Sequence, residues 1–225
     1  MAERPGSSLS ARPLHFIILA DCSGSMELDG KMQALNNAIR EMLPHLVDVA
    51  GQNPHATVLV RCIAFATGAH WHIEEPTPVE ELVWQDLHAA GYTDLGAAID
   101  LLAPQLAPPA IEQRSLPSAV LLISDGMPTD EYRTALGRLL DEPWGRSAVR
   151  MAVGIGRDAD MEVLDKFVSA EGFGAVTANN PEQLMKMIRW ASTHASRVAS
   201  NLISPTLTAG VVSLDETSSP SELIW

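Results

Sequence analysis

The chain has 225 residues, 46% of them hydrophobic, with 15 basic against 28 acidic side chains and a formal charge of −13. That length suits one large domain whose core needs no staples, and the apolar share excludes a disordered chain. The basic residues are scattered, so nucleic acid and anionic membranes, which reward clustered Lys and Arg, are excluded as expected partners.

Residues 1–12 are short and polar and read as a flexible N-terminus. The apolar run behind them, Leu14 to Ala20, is seven residues long, whereas a membrane span takes about 20. Nothing near the start resembles a signal peptide, and a cytoplasmic protein is expected.

Leu14 to Ala20 is almost continuously apolar, as a strand buried on both faces should be. A polar turn from Asp21 to Gly30 follows it. Met32, Leu35, Ile39, Met42 and Leu46 then fall on one helical stripe, with Asp29 as the expected cap. Thr57 to Phe65 is a β-branched second strand. The turn at Thr67-Gly68 returns the chain as a short partner strand, Ala69 to Glu74, expected to be antiparallel and at an edge. Gly91-Tyr92-Thr93-Asp94 is a turn before a helix through Leu95, Ala98, Ile99 and Leu102. Ser118 to Ser124 is a third buried strand, ending in Asp125-Gly126, with a helix from about Asp130 to Leu140 behind it. Val149 to Ile155 is a strand, and Met161, Leu164 and Phe167 mark the next helix. Ala175-Val176-Thr177 is a last short strand. Asn180-Pro181-Glu182-Gln183 opens the final helix, with Asn as cap, Pro at the first helical position and Gln three residues past the cap. That helix turns Leu184, Met187, Ile188 and Ala191 inward. From Asn201 the pattern gives way to Ser, Thr, Pro and acidic residues, so residues 201–225 are expected to be a flexible tail with an apolar end, Leu223-Ile224-Trp225.

Strands alternating with helices predict an α/β fold: a doubly wound, mostly parallel sheet with one antiparallel edge strand and helices on both faces, spanning residues 13–200. In such sheets ligands bind beyond the carboxyl ends of the strands. The polar turns at Asp21, Thr93 and Asp125 can meet there.

Asp21-Cys22-Ser23-Gly24-Ser25 follows a buried strand directly, and its oxygen-bearing side chains alternate, so an extended turn points them to one side. Thr93 adds a hydroxyl and Asp125 a second carboxylate. Five hard oxygen donors without imidazole or thiolate suit magnesium or manganese, magnesium taking octahedral geometry at about 2.0–2.1 Å; calcium fits less well. A lone D-x-S-x-S is equally a helix-capping turn. Its combination with Thr93 and Asp125 is what favours a metal.

Asp21 to Ser25, Gly91 to Leu95 and Ser124-Asp125-Gly126 resemble, in order and spacing, the metal-ion-dependent adhesion site (MIDAS) of von Willebrand factor A (VWA) domains. The resemblance implies Ser23, Ser25 and Thr93 as metal ligands, with Asp21 and Asp125 bound directly or through water. It also implies a protein partner that offers an Asp or Glu to the metal, and no enzyme activity. Ser124 stands where many members carry Thr. Ser23-Gly24-Ser25-Met26 and Gly30 to Asn36 are similar to the bacterial tellurium-resistance-associated VWA proteins, which implies stress signalling beside a kinase or phosphatase.

The alternative is a magnesium-dependent phosphoryl-transfer enzyme that uses Asp21 as nucleophile. Such phosphatases resemble D-x-D, and here the second acid is Ser23; no lysine is assignable to charge neutralisation. No G-x-S-x-G occurs for a serine hydrolase. Gly154-Ile155-Gly156-Arg157-Asp158-Ala159 matches a dinucleotide pattern but lies late in the chain and reads as a tight turn. Cys22 and Cys62 read as reduced core residues. Cys22, between the ligands, should point away from the ion. His70 and His72 share a strand face without a third ligand and read as solvated.

Overall fold

The computed structural model describes residues 11–51, 56–157, 159–169 and 174–201. Six strands form one sheet: β1 (Arg12–Asp21), β2 (Ala56–Ala66), β3 (Gly68–Pro78), β4 (Ala119–Ser124), β5 (Val149–Ile155) and β6 (Val176–Ala178). Their spatial order is β3-β2-β1-β4-β5-β6. All neighbours run parallel except β2 and β3, the antiparallel edge pair. The chain builds outward from β1 to β3, then returns to the other side of β1 with β4. The β1–β4 seam is therefore the topological switch point, where a crevice opens beyond the strand ends.

The unbroken apolar runs of the sequence follow from burial on both faces. In β1, Phe16, Ile18 and Ala20 face one core while Ile17 and Leu19 face the other; in β4, Leu121 and Ile123 alternate with Val120 and Leu122. The first core is closed by α1 (Lys31–Gly51) and α6 (Pro181–Asn201), the second by α2 (Leu95–Leu102), α3 (Tyr132–Asp141) and α5 (Met161–Phe167). Each large side chain buried this way contributes about 1.5–3 kcal/mol. Met32, Leu35, Ile39, Met42 and Leu46 are all buried on α1, the stripe expected from their spacing.

Several boundaries differ from the sequence expectation. Asp29 does not cap α1: it lies at φ 54°, ψ 20° inside a 3-10 segment, Gly24–Gly30, whereas a cap residue adopts extended backbone. Arg12, expected in the flexible terminus, opens β1 and pairs in register with Ala56. Asn201, expected in the tail, closes α6. The rest of that tail, with Leu223-Ile224-Trp225, and residues 1–10 lie outside the described residues. β3 is eleven residues long rather than six. The helix expected from Asp130 begins at Tyr132, and a short helix, α4 (Pro143–Ser147), was not foreseen. The start of α6 matches its reading: Asn180 Oδ1 accepts the Gln183 N–H at 2.9 Å. Among the described residues, no helix is long and apolar enough to cross a membrane.

Residues 79–94 carry no regular structure, yet they are anchored. The Asn36 side chain, buried on α1, donates to the Leu87 carbonyl at 3.0 Å and accepts from the Leu87 N–H (2.9 Å) and the Trp84 indole N–H (3.1 Å). One amide thus satisfies polar groups that burial would otherwise leave orphaned. It also fixes the path of the chain into Gly91-Tyr92-Thr93.

Candidate metal centre

Three loops bring the five residues singled out by sequence to the switch point. β1 ends on Asp21, whose side chain is fully buried and held at both oxygens. Oδ1 accepts the Ser23 N–H at 2.8 Å, and Oδ2 accepts the Ser124 hydroxyl at 2.6 Å. Ser23 is extended (φ −63°, ψ 163°), which places its side chain beside that of Ser25: their hydroxyl oxygens are 3.0 Å apart. Ser25 Oγ donates in turn to Asp125 Oδ1 at 2.7 Å. A methyl carbon placed on Gly126 would lie 3.8 Å from both Ser25 Oγ and Thr93 Oγ1. Those two hydroxyls therefore flank one small space in front of Asp125-Gly126.

The loops are fastened to one another before any ligand is considered. Gly24 N–H donates to Gly91 O at 3.0 Å, and Ala90 N–H to Cys22 O at 2.7 Å. Gly91 sits at φ 85°, and a Cβ there would collide with the Thr67 side chain, so only glycine suits this turn. Thr93 and Thr129 are joined twice, Thr93 N–H to Thr129 Oγ1 (3.1 Å) and Thr129 N–H to Thr93 O (2.8 Å). Asp94 accepts the Gly68 N–H (2.8 Å) and the Thr129 hydroxyl (2.7 Å). Asp130, from the loop after β4, accepts the Gly96 and Ala97 N–H groups at 2.8 and 2.9 Å. It thereby satisfies the orphan donors of the first turn of α2, from 34 residues away in sequence in the case of Gly96.

Two carboxylates buried within one hydrogen-bonded cluster pose an electrostatic problem. Burial pushes the Asp21 carboxyl above its usual range; hydrogen bonds from Ser124 and Ser23 pull it down, and the nearby Asp125 charge pushes it up again. Lys31, the first residue of α1, sets its ammonium 2.8 Å from Asp125 Oδ2. A lysine therefore does neutralise charge in this site, contrary to the sequence expectation, and it serves Asp125 rather than Asp21. Two carboxylates against this ammonium leave negative charge that a cation can compensate. The donor set, two carboxylates and three hydroxyls, is chemically fit for a hard divalent ion. Among the described residues, nowhere do three or more His, Cys, Asp or Glu side chains cluster as a metal site of the carboxylate-rich or imidazole kind.

The fold decides what this site can be compared with. Over 82% of this chain and 42% of the other, it superposes on a von Willebrand factor type A protein from Catenulispora acidiphila, with a TM-score of 0.59 at 19% identity. The fold is that of VWA domains. The VWA2 paralog of ArnB from Sulfolobus acidocaldarius matches over 80% of this chain and 45% of its own (TM-score 0.58, 19% identity). Proximal thread matrix protein 1 from the mussel byssus, solved with a zinc-occupied MIDAS motif, matches over 82% and 46% (TM-score 0.58, 14% identity). The chain spans less than half the length of each of these proteins. No protein-family model matches the sequence, and no curated protein sequence does either.

Within this VWA fold, Ser124 keeps the hydroxyl that the more usual Thr would supply, and spends it on Asp21. Sequence reasoning missed Lys31, Thr129, Asp130 and Asn36. Asp130 was read only as the start of a helix; the Pro128-Thr129-Asp130 turn was its signal. The features set aside hold other positions. Gly154 lets α5 approach β5, since a Cβ there would lie 2.9 Å from Met161 Sδ, and the helix starts only at Met161, outside the glycines. Cys22 and Cys62 are free thiols in the core; burial pushes the Cys22 thiol up to about 12. His70 is exposed, but His72 is less solvated than expected: it packs 5.0 Å from the Trp84 ring and its Nε2 lies 2.9 Å from Gln85 O.

Proposed function

We propose that this chain is a metal-ion-dependent protein-interaction module, with a divalent ion held by Ser23, Ser25 and Thr93 and by Asp21 and Asp125, directly or through water. The observation that carries the reading is that hydroxyls and carboxylates from three separate loops meet at the β1–β4 switch point, two of the loops linked through their side chains and the Thr93 loop tied to the first by backbone hydrogen bonds. The VWA fold, and the zinc in the MIDAS motif of the mussel protein, support it further. Magnesium or manganese is the favoured ion, because the donors are hard oxygens without nitrogen or sulfur.

The ion supplies a local positive charge able to hold a carboxylate from outside. The protein's own residues do the rest. Ser124 and the Ser23 N–H fix the rotamer of Asp21, Ser25 fixes Asp125 while Lys31 balances its charge, and the paired Thr93 and Thr129 set the third loop. The partner is a protein that presents an Asp or Glu. Its placement beside a kinase or phosphatase in bacterial stress or tellurite-resistance signalling rests on the sequence resemblance alone. A cytoplasmic setting accords with two buried, unpaired cysteines.

The phosphoryl-transfer alternative is disfavoured by Asp21 itself. Both of its oxygens already accept a hydrogen bond and its side chain has no exposed surface, which suits contact with an ion, directly or through water, better than in-line attack on a bulky phosphate ester. A non-enzyme is the reading adopted. Titration calorimetry with magnesium and manganese should show one site in the wild type. Asp21→Ala should lose more than the roughly 10–100-fold that removing a supporting partner costs, and metal should raise the melting temperature of the wild type but not of Asp21→Ala. Equal binding by both proteins would sink the reading, as would turnover of a phosphate ester that disappears in Asp21→Asn.

A further inference from the structure

The described residues leave four large apolar side chains strongly exposed: Leu28, Val83, Tyr92 and Met127. Three of the four stand on the loops that carry the candidate ligands. Leu28 follows Ser25 in the 3-10 segment, Tyr92 precedes Thr93, and Met127 lies two residues past Asp125. They are 62%, 68% and 68% exposed. Single exposed apolar residues need no explanation, but one on each loop of a binding site marks an interaction surface.

A cleft opens on the Leu28 side. It encloses about 470 Å³ between the 3-10 segment and the strand ends of β5 and β6, and Leu28, Ala34, Ile155 and Leu184 give it apolar walls. Lys31 and Arg157 also line it. Lys31 is the same residue that touches Asp125, so the cleft adjoins the metal centre through that side chain. Lys31 is engaged with Asp125, so the charges left on the cleft wall, Arg157 and Asp29, balance each other in a chain of net charge −13. The size of the cleft is that of an ordinary ligand pocket.

We infer that the partner docks through a segment in which an acidic residue is flanked by apolar ones. The carboxylate goes to the metal, a neighbouring apolar side chain enters the cleft beside Leu28, and further apolar contacts fall on Tyr92 and Met127. This rests on the metal-dependent reading above and adds the partner's chemistry to it. The domain repels an acidic segment only at long range, because salt screens distant charges beyond about 8 Å, and at contact the ion's own charge draws the carboxylate. Apolar contacts around a desolvated charge also exclude water from it, the arrangement that makes a central contact dominate an interface.

The test is a random peptide library displayed on phage, selected on the full chain in magnesium and eluted with EDTA. Enriched peptides should carry Asp or Glu with Leu, Ile, Met or Phe within two positions. A synthetic copy of the most enriched peptide should bind the triple variant Leu28→Ser, Tyr92→Ser, Met127→Ser roughly tenfold or more weakly, and Arg157→Glu should also weaken it. The three serines lie on the surface, and calorimetry should show that the triple variant takes magnesium like the wild type. Acidic peptides without apolar neighbours, or a peptide bound equally by the triple variant, overturn this inference while leaving the metal-dependent reading intact. No EDTA-eluted peptide at all overturns both.

Discussion

Arg150 and Asp21 are both charged and both buried, at opposite ends of neighbouring parts of the sheet. Arg150 is the second residue of β5, and its guanidinium donates to three main-chain carbonyls: Phe167 O (2.9 Å), Gly145 O (2.8 Å) and Ala148 O (3.2 Å). Those carbonyls lie at the ends of α5 and α4, so the charge finishes the backbone of two helices. Asp21, the last residue of β1, is held instead by a backbone N–H and by the Ser124 hydroxyl, and the cluster continues through Ser23, Ser25 and Asp125. A serine hydroxyl can donate to a carboxylate and still offer lone pairs to a cation. A guanidinium bonded to carbonyls has nothing further to offer an ion. Burial alone therefore does not mark a ligand site; the unspent capacity of the partners does.

The comparison breaks if Arg150 proves dispensable. Arg150→Leu would strand three carbonyls, at about 1–3 kcal/mol each, and urea unfolding should show a loss of roughly 3 kcal/mol or more that magnesium does not restore. A stability unchanged from wild type, or one rescued by metal, would show that the two ends of the sheet are not separate devices. A smaller effect is expected at the other end. Lys31→Met removes a half-buried ammonium from Asp125 and should raise magnesium affinity by roughly tenfold, read by calorimetry. A fall in affinity would mean that Lys31 holds Asp125 in place for the ion rather than competing with it. The smallest effect belongs to Ser118, at the amino end of β4. Among the described residues its buried hydroxyl has no hydrogen-bond partner, so Ser118→Ala should stay within about 0.5 kcal/mol of wild type or stabilise. A large loss in thermal unfolding would reveal a partner for that hydroxyl.

Much of the fold was legible because strand burial and helix period write themselves directly into apolar spacing. β5 was read to the residue, and the α1 stripe was correct. Four of the five candidate ligands are easy to place for a different reason: Asp21, Ser23, Ser25 and Asp125 end or closely follow a strand, whereas Thr93 lies fifteen residues past the end of β3. What the sequence hid was long-range. Lys31 meets Asp125 across 94 positions, and Asn36 meets Leu87 across 51. Nothing in local spacing encodes such pairs. Asp29 failed as a cap because the left-handed turn at Asp29-Gly30 depends on how the 3-10 segment meets α1.

The bent outer strand has a consequence for the molecule in a crowded solution. β3 pairs with β2 through register shifts around Arg61 and carries exposed Glu74, Glu75 and Pro76 along its outer half. Pro76 has no N–H to donate, the two carboxylates repel a matching strand, and the irregular register keeps the edge from lying flat. The opposite edge, β6, is three residues long. Among the described residues, the outer half of one margin and the short length of the other make poor templates for a second copy to extend the sheet. Chains crowded together can stay side by side at high local density without zipping into fibres through these edges.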